Sequence, residues 1–77
     1  MEGESKTKRP LDVLGSSLEK NILVKTKFGE TIRGALKAFD SHINLWLDDA
    51  SIQGEKDMTV GKILIRGDNI VYISPGK

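Results

Sequence analysis

From Asn21 onward the apolar residues fall at every second position in five short runs, each parted from the next by a brief polar connection. A period of two places alternate side chains on opposite faces of a strand, so each run reads as a half-buried β-strand. In "ILVKTK", Ile22, Val24 and Thr26 share a face opposite Leu23, Lys25 and Lys27. "KFGE" is a turn with Gly29 in a position suited to positive φ, and its Phe28 is either an exposed loop residue or a rim contact. "TIRGALKAFD" alternates again, with Ile32 and Leu36 on one face and Gly34 between them. A glycine in mid-strand marks a sharp bend or a close backbone approach. "INLWLDDASI" turns Leu45 and Leu47 inward, "QGEKDMTVG" reads as a polar connector, and "KILIRG" and "NIVYIS" supply the last two strands. Between those two lies a chain-reversing turn, Arg66-Gly67-Asp68-Asn69, that carries a full charge of each sign.

Ahead of the strands, Pro10 opens "PLDVLGSSLEKN", where Leu11, Leu14 and Leu18 stand at i, i+3 and i+7, one helical stripe. Proline suits a first helical position, and Asp12 favours the positive end of the helix. The expectation is a short helix followed by five strands, a mostly β chain. For so short a chain that means a strongly bent antiparallel sheet curled into a small open barrel. Residues 1–9 are small and charged and predict a flexible segment, leaving 10–75 as a single domain.

Seventy-seven residues leave no room for a second domain, and a chain of this size buries only about 60% of its unfolded surface. The chain has no cysteine and one histidine, so neither a disulfide nor a His/Cys zinc cluster can reinforce the core. Self-association remains as a source of stability, and pairing between copies would cap the open strand edges. Twelve basic against eleven acidic residues give a net charge of +1, which argues against a protein that coats duplex DNA through a basic face. No apolar run is long enough to span a membrane. The N-terminus "MEGESKTKRP" lacks the apolar stretch of a secretory signal, so a cytoplasmic protein without membrane contact is expected. No cofactor and no metal are called for.

Two stretches together resemble the paired motifs of the Sm and Sm-like (LSm) family. Residues 18–49 carry the first, with Gly29, Gly34 and then "FDSHINLWLDD", in which Asp40, Asn44 and Leu45 stand at the motif's spacing. Residues 63–73, "ILIRGDNIVYI", carry the second, and the leading "RPLDVLGSSLEKN" is similar to the first helix of archaeal members. The likeness spans residues 9–75. It implies the Sm fold, a homo-oligomeric ring, most often of seven subunits, and single-stranded uridine-rich RNA held at the central hole. It also implies a place in RNA processing or metabolism, with RNA-processing proteins as further partners. Carried onto this chain, the implied base pocket is His42 and Asn44 with Arg66, Gly67 and Asp68. The base would stack between the His42 ring and the Arg66 guanidinium, Asn44 would read the uracil edge, and Asp68 would orient Asn44. A secondary RNA contact maps to Arg9 and Phe39.

Elementary chemistry suits that reading, because unpaired bases are gripped by π-faces and planar cations. An amide offers one edge with both a donor and an acceptor, as uracil does. Asp40-Ser41-His42 contains hydrolytic residue types, but neighbours in a turn point apart and cannot form a relay. The expectation is a non-catalytic RNA-binding subunit; the alternative is a structural ring or assembly scaffold without base-specific binding.

Overall fold

The computed structural model describes residues 9–75. The flexible segment expected over 1–9 therefore lies outside the described residues, apart from Arg9. Helix α1 (Pro10–Ser16) is followed by strands β1 (Asn21–Thr26), β2 (Thr31–Phe39), β3 (Leu45–Gln53), β4 (Met58–Ile65) and β5 (Ile70–Ser74). All pairings are antiparallel, in the order β4-β3-β2-β1-β5.

The expected turn at 66–69 is present, and the order shows what it joins. β4 and β5 are not partners in a hairpin; they form the two opposite edges of the sheet, and Gly67–Asn69 is a single turn of 3-10 helix between them. In a flat sheet, edges four strand spacings apart would stand about 19 Å from each other. The four linking residues, 66–69, reach about 14 Å even fully extended, and less with three of them wound into the 3-10 turn. The short link therefore requires the sheet to curl until its edges approach, and the small open barrel follows.

Local devices make the curl. Register slips occur between Arg33 and Ala35 and between Leu36 and Ala38 where β2 meets β3, and again around Ala50 where β3 meets β4. Gly34 lies at the first slip. A Cβ there would stand 3.0 Å from the Asp48 carbonyl oxygen and 3.1 Å from Ala50 Cα, so only glycine lets the two strands come this close.

The inward faces match the alternation in the sequence. Ile22, Val24, Thr26, Ile32, Leu36, Leu45 and Leu47 are buried, with Ala50, Ile52 and Ile65 completing the core. At roughly 1.5–3 kcal/mol for each large aliphatic side chain, this cluster is the main favourable term for the fold.

α1 closes one end of the barrel with Leu14 alone. The expected three-leucine stripe is only partly realised: the helix stops at Ser16, and Leu11 and Leu18 remain exposed. The stop has a local cause. Ser17 returns its hydroxyl to the Val13 carbonyl at 2.9 Å, and Glu19 takes positive φ. Glu19 N–H then donates to the Leu36 carbonyl at 2.7 Å, while Leu36 N–H donates to the Lys20 carbonyl at 2.9 Å, stitching the segment to β2. Arg9, counted with the flexible segment, caps this helix: its N–H donates to the Asp12 carboxylate at 3.2 Å.

β4 begins earlier than its hydrophobic pattern suggested, at Met58 within the presumed connector. As an edge strand it buries only Ile65 fully, with Val60 and Ile63 partly packed against the core, so its first residues show no clear alternation.

Candidate nucleic-acid interface

The link between β2 and β3, residues 40–44, is built around one carboxylate. Asp40 Oδ1 accepts from His42 N–H at 2.9 Å and from Asn44 N–H at 3.1 Å, and Asp40 Oδ2 accepts from the Asn44 side-chain Nδ2 at 3.1 Å. Two backbone bonds close the same loop, Ile43 N–H to the Asp40 carbonyl at 3.0 Å and Asp40 N–H to the Asn44 carbonyl at 3.2 Å. An aspartate that bonds the backbone two residues ahead is a turn former by chemistry, and here it builds the whole loop. These donors hold the Asp40 carboxyl below its ordinary value of 3.8, the Asn44 side chain and backbone N–H contributing most.

Ile43, between the two expected site residues, has φ of +62°. A β-branched residue is strained there, at a cost of about 1–3 kcal/mol. The bonds from Asp40 and the packing of Ile43 against the core offset it. The outcome is that His42 is exposed to solvent while Asn44 turns toward the barrel edge.

The β4–β5 link meets this loop through one bond. Gly67 N–H donates to Asn44 Oδ1 at 2.9 Å. The approach is so close that a Cβ on Gly67 would collide with the His42 carbonyl oxygen and come within 3.1 Å of the Ile43 carbonyl carbon. Glycine is required here by space, not by φ. His42, Asn44, Arg66, Gly67 and Asp68 together line a cleft of about 480 Å³. All five expected pocket residues are thus brought together from two loops more than twenty positions apart.

One expected role is corrected. Asp68 does not orient Asn44; it pairs with the Arg66 guanidinium at 3.4 Å, both side chains being largely exposed. Asn44 is oriented by Asp40 on one side and by Gly67 N–H on the other. Because a carboxylate only accepts and a backbone N–H only donates, the amide cannot be turned over. One Nδ2–H and one Oδ1 lone pair remain free to face the cleft. The signal for Asp40 was present in its position two and four residues before His42 and Asn44, the spacing of a turn-capping aspartate.

The exposed Arg66–Asp68 pair adds little stability, but it limits where the guanidinium can lie. Asp40 engages the backbone N–H of His42, so no Asp–His–Ser relay is formed. Among the described residues no group of three or more His, Asp or Glu is gathered so as to hold a metal ion.

Arg9 and Phe39 line no cleft in common among those described. Arg9 is exposed at the start of α1, whereas Phe39 packs partly against the core and lines a shallow cleft with Trp46, Leu64 and Asn44. A more apolar groove, about 440 Å³, runs from His42 and Gly67 between α1 and β5, flanked by Pro10, Val13, Ile70 and Tyr72. Apolar side chains also lie open along both sheet edges, Met58 and Leu64 on β4, Val71 and Tyr72 on β5.

Comparison with known proteins places this geometry in a family. Residues 12–75 match the model of the LSM domain. The chain is similar to the Sm protein of Pyrococcus abyssi, solved in complex with a uridine heptamer, at 45% identity over 90% of this chain and 100% of that one, with a TM-score of 0.83. It is similar to the SmAP1 heptamer of P. aerophilum at 36% identity, over 88% of this chain and 93% of that one, with a TM-score of 0.83. The SmAP (LSm) protein of Methanococcus vannielii aligns at 41% identity over 88% of this chain and 96% of its own, with a TM-score of 0.81. With the family's model covering nearly all of the described residues, and a fold and sequence this close to solved members, the chain belongs to the LSM-domain family of Sm-like proteins.

Proposed function

We propose that this protein is a non-catalytic RNA-binding subunit that assembles into a homo-oligomeric ring and holds single-stranded, uridine-rich RNA at the ring's centre. The observation that carries the reading is the locked Asn44 amide, which presents one donor and one acceptor between an exposed imidazole and an exposed guanidinium. Uracil offers N3–H flanked by a carbonyl on either side. It therefore satisfies a fixed donor–acceptor pair whichever face it stacks on. Cytosine and adenine also have adjacent donor and acceptor groups, but only in one order, so only one stacking face fits. His42 and Arg66 supply the two surfaces between which a base would lie, each stacked base being worth about 1–3 kcal/mol.

One such cleft binds weakly. A ring repeats it, and linked nucleotides then add avidity without any new kind of contact. The relatives crystallised as a heptamer and with a uridine heptamer support this assembly, as do the apolar edges of β4 and β5. A net charge of +1 is compatible with it, because recognition falls on the base and not on a broad basic face.

The test is fluorescence anisotropy of labelled oligouridine, oligocytidine and oligoadenosine of equal length, at low and moderate salt. Preference for uridine that persists at moderate salt is the expected result. Weak binding, equal for all three and abolished by salt, would leave a structural ring without base reading.

A further inference from the structure

We propose that Phe28, at the tip of the β1–β2 turn, is a second stacking platform for unpaired RNA bases, taking nucleotides that continue beyond the His42–Arg66 cleft. This inference rests on the RNA-binding reading above and extends it to a residue outside the five that line the cleft. Phe28 is the most exposed large apolar side chain among the described residues, 75% open to solvent. A single exposed apolar residue is ordinary on a protein surface. Three further features set this one apart.

The turn beneath it is rigidly built. The buried Thr26 hydroxyl oxygen accepts from both Phe28 N–H and Glu30 N–H at 3.3 Å, Gly29 N–H donates to the Thr26 carbonyl at 3.2 Å, and Lys25 Nζ donates to the Gly29 carbonyl at 3.3 Å. A ring carried on a fixed backbone loses little entropy when a flat partner stacks on it.

The turn is also tied to the base cleft. Lys27 N–H donates to the Asn69 carbonyl at 2.8 Å, and Asn69 closes the same 3-10 turn that carries Gly67 and Asp68. Residues one position beyond each end of such a bond lie on the order of 10 Å apart. Phe28 thus stands beside the wall of the cleft, within reach of nucleotides adjoining the one inside it.

The flanking charge suits the same ligand. Lys25 and Lys27 both precede it in the chain, and Lys27, its immediate neighbour, is exposed. An aromatic face beside a cation is a combination that suits single-stranded nucleic acid, the face for a base and the ammonium for a phosphate.

The experiment compares the intact oligomer with Phe28→Ala, Phe28→Leu, Phe28→Trp and Arg66→Ala variants. Each is titrated with a short oligouridine, just long enough to fill the clefts, and with a much longer one. The expected result is that Phe28→Ala and Phe28→Leu weaken the longer oligomer about fivefold or more and leave the short one unchanged. Phe28→Trp restores the affinity, and Arg66→Ala weakens both lengths. Lys27→Ala lowers the salt dependence for the longer oligomer only. Equal affinity of Phe28→Ala and parent for the longer RNA, with Arg66→Ala still weakened, overturns this inference and leaves the base cleft standing. Failure of the parent to bind either length removes the cleft reading and this inference with it. A change of assembled mass in Phe28→Ala overturns it as well, because it would make Phe28 an assembly contact.

Discussion

Asn44 Oδ1 and the Gly67 N–H, twenty-three residues apart, share a 2.9 Å hydrogen bond that joins the β2–β3 loop to the link between the two sheet edges. That bond does two things. It closes the barrel at the point where the sheet's edges approach, and it fixes the face that Asn44 turns toward the cleft. Stability and recognition therefore meet in one side chain.

Asn44→Asp separates the two roles. The substitution keeps the shape and still accepts from Gly67 N–H, but it removes the donor and sets a second carboxylate against Asp40. Like charges at that distance disfavour joint ionisation. Binding of oligouridine at neutral pH is expected to fall by about tenfold or more, as for a lost hydrogen bond that leaves its partner unpaired. Anisotropy against oligouridine and oligocytidine checks this, and undiminished uridine preference would show that the amide does not read the base.

Gly67→Ala is expected to destabilise the fold by about 1–3 kcal/mol, since the new methyl must displace the His42 carbonyl. Gly15→Ala is the matching control: nothing lies within 4 Å of its added Cβ, and alanine in the helix is worth up to about 1 kcal/mol in the opposite direction. Denaturant midpoints of the two variants should move in opposite senses. A Gly67→Ala variant as stable as the parent would mean that the two loops are not packed as described.

Much of this was legible in the sequence where a strand has a wet face and a dry one. The alternation around Val24, Leu36 and Leu47 named most of the core directly, whereas Ala50, equally at 0% exposure, falls out of period at a register slip. Gly34 announced the bend. The sequence was silent where structure depends on distant partners. Met58 to Gly61 belong to an edge strand that meets only β3, and of them Val60 alone packs against the core, so no alternation marks them. The 66–69 turn resembles a hairpin locally, and nothing local tells that β5 prefers β1 to β4. The five cleft residues could be named from the paired motifs, but the part played by Asp40 follows from hydrogen-bond directions that spacing alone does not rank. The positive φ of Ile43 has no sequence signal, because its side chain disfavours it.

Acid should loosen the cleft before it unfolds the barrel. Asp40 is held below 3.8, so its bonds contribute stability that is fully present above that value and is lost as pH falls through the lower folded value. Protection of the His42 and Asn44 amides, measured against the intrinsic exchange rate at each pH, is expected to hold at pH 5 and above and to fall at more acidic pH. Asp40→Asn should flatten that dependence at these two amides. Asp48 is also lowered, chiefly by the Asp49 N–H and less by Lys62, so global stability should keep an acid dependence in the variant. Amides at 42 and 44 that respond to acid equally in parent and Asp40→Asn would show that Asp40 does not hold the loop.

The proposed ring makes the two sheet edges interdependent. Val71 on β5 and Leu64 on β4 are each more than half exposed in the isolated subunit, so a charge at either position costs the fold little. If β4 of one subunit lies along β5 of the next, Val71→Glu buries an unpaired carboxylate at every junction, and each such group is costly to desolvate. Native mass measurement is expected to give single subunits for Val71→Glu and intact oligomer for Lys56→Gln, which makes the same change of charge in an exposed loop. Adding Leu64→Lys to Val71→Glu places opposite charges across the same junction, where cross-strand and diagonal neighbours lie within reach of long side chains. Partial return of the oligomer in the double variant would identify the two edges as partners. An oligomer that survives Val71→Glu unchanged would exclude β5 from the contact.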